Sequence, residues 1–285
     1  MKHPIDPKID CVFKALLGAD RNRRLLIHFL NAVLAGELAA PIAEVEILDP
    51  YNEREFLDDK LSIVDVKARD LAGRLYQIEI QLLNIPNLPA RILYGWADLY
   101  SAQLQDGDGY DQLKPTYAIW LLGQTLRPRM TEAIHRFRLR DEQGRSLVDH
   151  GGIWLLELSK CEIRLVQTEL ERWLKFFIEG ERLDAEHLPE WMVTEEMQQA
   201  MNTLRQFSEK ERNYHLYQAR QNYLRQQRSI QNHLEALRAE VEQARAEKEQ
   251  VQVEKEQVQA EKERERAEKE AALAEIERLK ALLRN

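Results

Sequence analysis

The sequence predicts an α/β protein in which helices flank a β-sheet and a long helix follows at the C-terminal end. Two features of the 285-residue chain lead to this fold class. Short segments with the alternating or apolar pattern of β-strands are interspersed with longer amphipathic segments that are typical of α-helices. From residue 230 onwards the chain contains no Gly or Pro and repeats every seven residues, which is typical of a coiled coil.

Each predicted element has a local reason in the sequence. The first helix, 10–17, ends at Gly18, and the second, 21–34, has a strong apolar face and stops near Gly36. Two X-Pro dipeptides break the chain before a third helix that runs to about residue 104, with a buried stripe expected at Leu93, Ala97, Tyr100 and Leu104. The other predicted elements are strands over 44–48, 116–122, 135–139 and 153–158, and helices over 169–179 and 195–223.

Residues 60–81 predict a β-hairpin, and its polar face carries the most informative pattern in the chain. Even positions such as Val66 and Ile78 are apolar and odd positions are polar, as in a strand with one buried face. A five-residue loop over 70–74, with Gly73 free to adopt a positive φ, places Asp65 opposite Glu79. The two carboxylates then share one face, with about 5 Å between their Cβ atoms. The same register places Lys67 opposite Gln77.

A pair of carboxylates facing each other on a sheet needs a compensating cation, because like charges in that position destabilise the sheet. Either Lys67 or a bound metal ion could supply the positive charge. Mg²⁺ binds one or two protein carboxylates and keeps its other positions for water and substrate phosphate. Such an ion stabilises charge on a phosphodiester and activates a water for in-line attack. The pattern therefore favours a metal-dependent nuclease, and a merely solvated outer face is the alternative.

Five stretches of the chain resemble the PD-(D/E)XK nuclease superfamily, and within it the Rpn-type recombination-promoting nucleases, also called transposase-like PD-(D/E)XK proteins. The stretches are DPKIDCVFKALLG (6–18), DVKARDLAGRLYQIEIQ (65–81), RILYGWADLYSAQL (91–104), KPTYAIWLL (114–122) and IWLLELSK (153–160). The resemblance implies a mixed sheet flanked by helices and an endonuclease that promotes DNA recombination or transposition-like processing. It also implies DNA as a partner and Mg²⁺ or another divalent cation as cofactor.

The resemblance also assigns roles to the polar face of the hairpin. Asp65 and Glu79 match the two metal-binding carboxylates of the family. Gln81 stands where the superfamily usually has lysine, and the chain resembles the branch that tolerates glutamine there. A glutamine can orient a water or a phosphate oxygen but carries no positive charge. Lys67, on the same predicted face, is the candidate for the missing ammonium group.

Further residues are candidates for the same cleft or for DNA contact. Asp10 and Lys14 match the N-terminal motif of the family. The helix after the hairpin packs beside the active site in the family, so Arg91 and Tyr94 are candidates for phosphate contact. The alternative is that Arg91 pairs with Asp98 beside a packing tyrosine.

Three arginines on one side of the strand 135–139 and its continuation form the best phosphate-binding stripe in the chain. They are Arg136, Arg138 and Arg140. A solvated edge strand, whose charges prevent strand-to-strand aggregation, is an equally weighted alternative.

Composition excludes several classes of protein. The formal net charge of −8 does not favour a nucleic-acid binder, since such domains are commonly basic. Cys11 and Cys161 are far apart, which argues against a disulfide framework or a zinc site and fits a reducing compartment. No segment approaches the ~20 apolar residues of a membrane span, and the N-terminal residues lack the apolar run of a signal peptide. We therefore expect a cytoplasmic protein without a membrane partner.

Three domains are expected: a nuclease-like domain over 1–185, a helical linker over 186–229 and a coiled-coil tail over 230–285. The heptad seam is apolar at both ends, but Lys and Glu occupy core positions in its middle. Such a seam predicts a homo-oligomer with a weakened centre, and a solvated single helix is the alternative. A second function remains open as well: a nuclease-fold scaffold with weak or no catalysis that acts through coiled-coil assembly.

Overall fold

The structure is a computed structural model that describes residues 2–48 and 65–282. Residues 60–64, expected to begin the first strand of the hairpin, lie outside the described residues. The described chain forms a six-stranded sheet with the strand order β1-β2-β3-β4-β6-β5. The strands are β1 (Val45–Leu48), β2 (Val66–Asp70), β3 (Leu75–Gln81), β4 (Thr116–Leu122), β5 (Ile134–Phe137) and β6 (Gly151–Glu157).

The sheet is mixed, as the resemblance implied. The pairs β3–β4 and β4–β6 are parallel, whereas β1–β2, β2–β3 and β5–β6 are antiparallel. The helices are α1 (Asp10–Leu17), α2 (Arg23–Val33), α3 (Leu88–Ser101), α4 (Glu169–Glu179), α5 (Glu195–Glu209) and α6 (Glu211–Leu282). Together they confirm the predicted α/β class with a long C-terminal helix.

Local chemistry explains where the flanking helices begin. At α4, Thr168 accepts from the backbone N–H of Glu171, whose side chain accepts in turn from the Thr168 N–H. This reciprocal capping satisfies backbone donors that the first turn of a helix leaves unpaired. At α3, Pro89 lies in the first turn, where its missing N–H costs nothing.

The hairpin has the predicted register, with Lys67 opposite Gln77 and Arg69 opposite Leu75. Its loop is one residue shorter than expected, since Asp70 still belongs to β2 and pairs with Val45 of β1. The Asp70 carboxylate accepts hydrogen bonds from the Ala72 and Arg74 N–H groups, from Arg74 Nε and from the Tyr76 hydroxyl. Gly73 has the positive φ (+79°) that the turn requires.

Both faces of β3 are buried, whereas the alternation predicted one buried and one open face. The even face packs into the main core with α1, α2, α4 and α5. The odd face is covered by α3, so that Gln77 and Glu79 are only 1% and 5% exposed. Gly95 of α3 makes this possible, because a Cβ there would lie 3.1 Å from Gln77 Nε2. The polar side chains of Gln77 and Glu79 therefore lie inside the protein and not on an open face.

The residues predicted to be buried on α3 are shifted by about one position from the residues that are buried. Leu88, Ile92 and Leu99 are buried beside Gly95 and Asp98, while Leu93 is 57% exposed and Ala97 is exposed. The close approach of Gly95 to Gln77 determines which side of α3 faces the sheet, because Leu88 and Ile92 lie on the same side of the helix as Gly95. A pattern within the helix alone does not contain this contact.

The chain divides into two compact units, residues 1–224 and 225–285. Helix α5, within the segment expected as a linker, buries Met197, Met201, Leu204 and Phe207 in the main core. The helices up to residue 224 are therefore part of the first unit. The second unit is the rest of α6, where the seam residues Ile230, Leu234, Leu237 and Val241 are about half exposed. Within 2–48 and 65–282, no helix is long and apolar enough to cross a membrane.

Candidate active site

Asp65 and Glu79 lie side by side at one end of the hairpin. Glu79 is in β3, and Asp65 immediately precedes β2, one position beyond the Val66–Ile78 pair. The backbone N–H of Ile80 donates to Asp65 Oδ2 at 2.9 Å, which fixes the Asp65 carboxylate against β3. The structure thus brings together the two carboxylates that the register predicts as neighbours.

The two carboxylates line a cleft of about 470 Å³. One wall comes from the N-terminal segment with Lys8 and Asp10, and another from the end of β3 with Gln81 and from Arg91 of α3. The described residues lining the cleft also include Ile80, Leu82, Ile85, Arg220, Tyr223 and Leu224.

The electrostatics of the pair leave a deficit of positive charge. Burial raises the pKa of Glu79 to about 8, and the negative charge of Asp65 adds to the rise. Burial also raises the pKa of Asp65, against the opposing effects of the Ile80 N–H and of Lys14. Lys14 Nζ of α1 is 3.4 Å from Asp65 Oδ1, and the positive charges of Arg91 and Lys14 oppose only part of the rise at Glu79. A further cation would stabilise both groups in their ionised form.

The donor set fits a hard divalent cation such as Mg²⁺. Both groups are carboxylates and both border the cleft, and burial, with a smaller contribution from a neighbouring carboxylate, raises the pKa of each. Among the residues that the structure describes, no three His, Cys, Asp or Glu side chains form a metal-binding group. Of the described residues, Asp65 and Glu79 would hold a cation here, and water and phosphate oxygens could take other positions around it.

Comparison with protein families matches residues 7–234 to the model described as PD-(D/E)XK nuclease family transposase. The match covers most of the chain. This chain belongs to the PD-(D/E)XK nuclease family transposases. The predicted resemblance is thereby confirmed at the level of the family. Comparison with curated proteins and comparison with solved structures each give no match.

In this PD-(D/E)XK protein, Gln81 is held at the edge of the cleft between two neighbours. Its Nε2 donates to the Leu83 carbonyl at 2.7 Å, and its Oε1 lies 3.4 Å from Arg91 Nη1. The Arg91 guanidinium is also 5.7 Å from the ring centre of Trp120 in β4. Gln81 and Arg91 therefore line the cleft as a pair, and Arg91 is a cation beside the position where the superfamily usually carries lysine. The alternative, in which Arg91 pairs with Asp98, stays a prediction, and Asp98 is buried on α3.

Lys67 lies opposite Gln77 as predicted, but it is not among the residues that line the cleft. It is two positions further along β2 than Asp65, which is about 7 Å along a strand. The ammonium that contacts Asp65 belongs instead to Lys14, a residue of the N-terminal motif. Tyr94 is half exposed on α3 and, within the described residues, does not line the cleft either.

The three arginines around β5 lie away from the carboxylates. Strand register places Glu79, Trp120, Leu155 and His135 in one row on one face of the sheet. Arg136 pairs with Trp154 and so belongs to the opposite face. β5 is also the edge strand, three positions from β3.

Glu37 neutralises much of this stripe. It lies 3.4 Å from Arg136 Nη1 and accepts a hydrogen bond from Arg138 Nη2. Arg140 donates to the Gly144 carbonyl at 2.6 Å within its own turn. The assignment of these arginines to DNA contact stays a prediction that the geometry of the cleft does not support.

Two polar residues at the site were not identified from the sequence. Gln77 Nε2 donates to Glu79 Oε1 at 3.1 Å inside the protein. The only indication of this contact in the sequence was that Gln77 lies on the same polar side of the hairpin as Glu79. Arg220 reaches Asp10 from a helix more than 200 residues away. No local pattern marks Arg220, because it is one of several arginines in the first part of a largely polar helix.

Proposed function

We propose that this protein is a divalent-metal-dependent DNA endonuclease, beyond the nuclease-like function that its family indicates. The observation that carries the proposal is the carboxylate pair of partly buried Asp65 and buried Glu79, which lines a cleft together with Gln81 and Arg91. Burial and the charge of Asp65 raise the pKa of Glu79 to about 8, and a strongly shifted carboxyl group that borders a cleft is typical of a functional site.

Each group in the cleft has a role that its contacts support. Asp65 and Glu79 would hold Mg²⁺ or another divalent cation. When bound, the cation supplies positive charge at the phosphodiester and lowers the pKa of a water molecule. Gln81 orients a water or a phosphate oxygen through its amide, Lys14 balances the charge of Asp65, and Arg91 binds a phosphate of the substrate.

Removal of one metal-binding carboxylate tests this function. Asp65→Ala should reduce Mg²⁺-dependent nicking of supercoiled plasmid by at least ~100-fold, the order of magnitude of losing one group that stabilises transition-state charge. Asp106→Ala is the matched control, because Asp106 is an exposed loop carboxylate and its loss changes the net charge equally. Circular dichroism and thermal unfolding check that the fold persists. Equal nicking by Asp65→Ala and the parent protein would refute the site assignment.

A scaffold with a nuclease fold and little or no catalysis is the second candidate. Gln81 favours it, because glutamine lacks the positive charge that the superfamily usually places there, and so does the net charge of −8. The exposed seam of α6 would then provide the activity of the protein by homo-oligomerisation. Such a scaffold need not bind metal at Asp65 and Glu79, so metal titration separates the two candidates. Recombination as the biological role and a cytoplasmic location remain predictions of the sequence.

A further inference from the structure

The first turns of α6 are fixed to the compact unit and form part of the cleft wall. Tyr217 is buried, and its hydroxyl accepts a hydrogen bond from the Asp6 N–H at 3.0 Å. Tyr214 stacks on His3 with 4.0 Å between ring centres. These contacts hold the next turn in place, where Arg220 and Tyr223 line the same cleft as Asp65 and Glu79.

Arg220 makes an ion pair that stability alone does not explain. Its Nε is 3.2 Å from Asp10 Oδ2, and the Arg220 side chain is half exposed. A pair of this exposure contributes only about 0–1 kcal/mol to folding. A guanidinium carries five N–H donors, so the contact through Nε leaves donors for a phosphate oxygen.

The cleft needs such a donor if DNA is to enter it. The proposed divalent cation would compensate Asp65 and Glu79, but Asp10 would still repel a phosphate, so cations on the walls must offset it. Among the described cleft residues, three are cationic: Lys8, Arg91 and Arg220. Lys8 Nζ is already engaged by the Phe177 carbonyl at 2.9 Å and by Asp6 at 2.8 Å. The two guanidinium groups, from α3 and α6, are the remaining phosphate donors.

We propose that Arg220 contacts a phosphate of the DNA backbone beside the cleaved bond, so that α6 completes the substrate-binding site. This inference rests on the proposed nuclease function. It assigns a role in binding to a residue 35 positions beyond the expected end of the nuclease-like domain. The first turns of α6 then belong to the DNA-binding surface as well as to the fold.

The test measures DNA affinity of the full-length protein at several salt concentrations. The reference protein carries Glu79→Gln, which prevents cleavage, and a fluorescein-labelled duplex reports binding by anisotropy. Adding Arg220→Ala should weaken binding about tenfold and lower the slope of log Kd against log salt by about one, the signature of one lost phosphate contact. Arg212→Ala, an exposed arginine two turns earlier on the same helix, is the matched control and should leave the slope unchanged.

A second substitution separates phosphate contact from simple neutralisation of Asp10. If Arg220 only neutralises Asp10, combining Arg220→Ala with Asp10→Asn restores the affinity and the slope of the reference, and the inference is overturned. If Arg220 binds phosphate, the combined variant keeps the reduced slope. A slope for Arg220→Ala equal to that of Arg212→Ala overturns this inference alone. Failure of the reference to bind duplex, together with failure of the parent protein to nick plasmid, overturns the proposed function as well.

Discussion

Raising the pH from 6 to 8 in the absence of metal should destabilise the folded protein through Glu79. Burial and the charge of Asp65 raise the pKa of Glu79 from 4.5 to about 8 in the folded state. The folded protein therefore binds more protons than the unfolded chain between these two values. Stability from this group is present below pH 4.5 and is lost as the pH rises toward 8.

The size of the effect follows from the pKa shift. One pKa unit corresponds to about 1.4 kcal/mol, so the part of the loss that falls between pH 6 and pH 8 amounts to about 2 kcal/mol. Other groups also titrate in this range, so the comparison is with Glu79→Gln, which cannot ionise. The difference in unfolding free energy between the parent protein and Glu79→Gln should change by about 2 kcal/mol between the two pH values.

Urea denaturation in EDTA, followed by circular dichroism, measures this difference. At pH 8, added Mg²⁺ should stabilise the parent protein more than at pH 6, because the cation binds the ionised carboxylate. A difference that stays constant from pH 6 to pH 8, or that changes with the opposite sign, would refute the assigned environment of Glu79.

Two further predictions concern the support of Glu79 and the tail. Gln77→Leu removes the hydrogen-bond donor to Glu79 Oε1. It should weaken Mg²⁺ binding at pH 7 by about tenfold, which corresponds to one hydrogen bond to a charged group. Calorimetry should show a smaller loss of affinity at pH 9, and a loss that does not depend on pH would indicate a structural effect. Val241→Asp, on the heptad seam, should dissociate the proposed homo-oligomer in sedimentation velocity, whereas Val253→Asp, an equally exposed valine outside the seam, should not. Equal behaviour of the two variants would rule out the seam as the interface.

The register of the hairpin could be predicted because it depends on neighbouring residues. Period-two alternation on both arms and a glycine suited to the turn fix the pairing of Lys67 with Gln77. The neighbourhood of Asp65 and Glu79 follows from that register. The burial of Glu79 could not be predicted from the register, because it depends on the packing of Gly95 of α3 against Gln77. Alternation alone does not indicate whether another element covers the polar face.

Charge partners distant in the sequence could not be predicted. The arginine stripe of β5 looks like a phosphate-binding surface in isolation, but Glu37, about 100 residues earlier, pairs with Arg136 and Arg138. Likewise, Lys14 rather than Lys67 reaches Asp65, because α1 packs beside the open end of the hairpin. Single-sequence patterns indicate which residues share a face, whereas the fold decides which side chains meet.

Isothermal titration calorimetry with Mg²⁺ or Mn²⁺ determines whether Asp65 and Glu79 together bind a divalent cation. The parent protein should bind the cation at pH 7 and release close to one proton, since a group with a pKa of about 8 is mostly protonated there. Titrations in two buffers of different ionisation enthalpy measure that proton. Asp65→Ala and Glu79→Gln should each abolish the binding. Undiminished cation binding by both variants, or no cation binding by the parent protein, would show that the two carboxylates do not form a cation site.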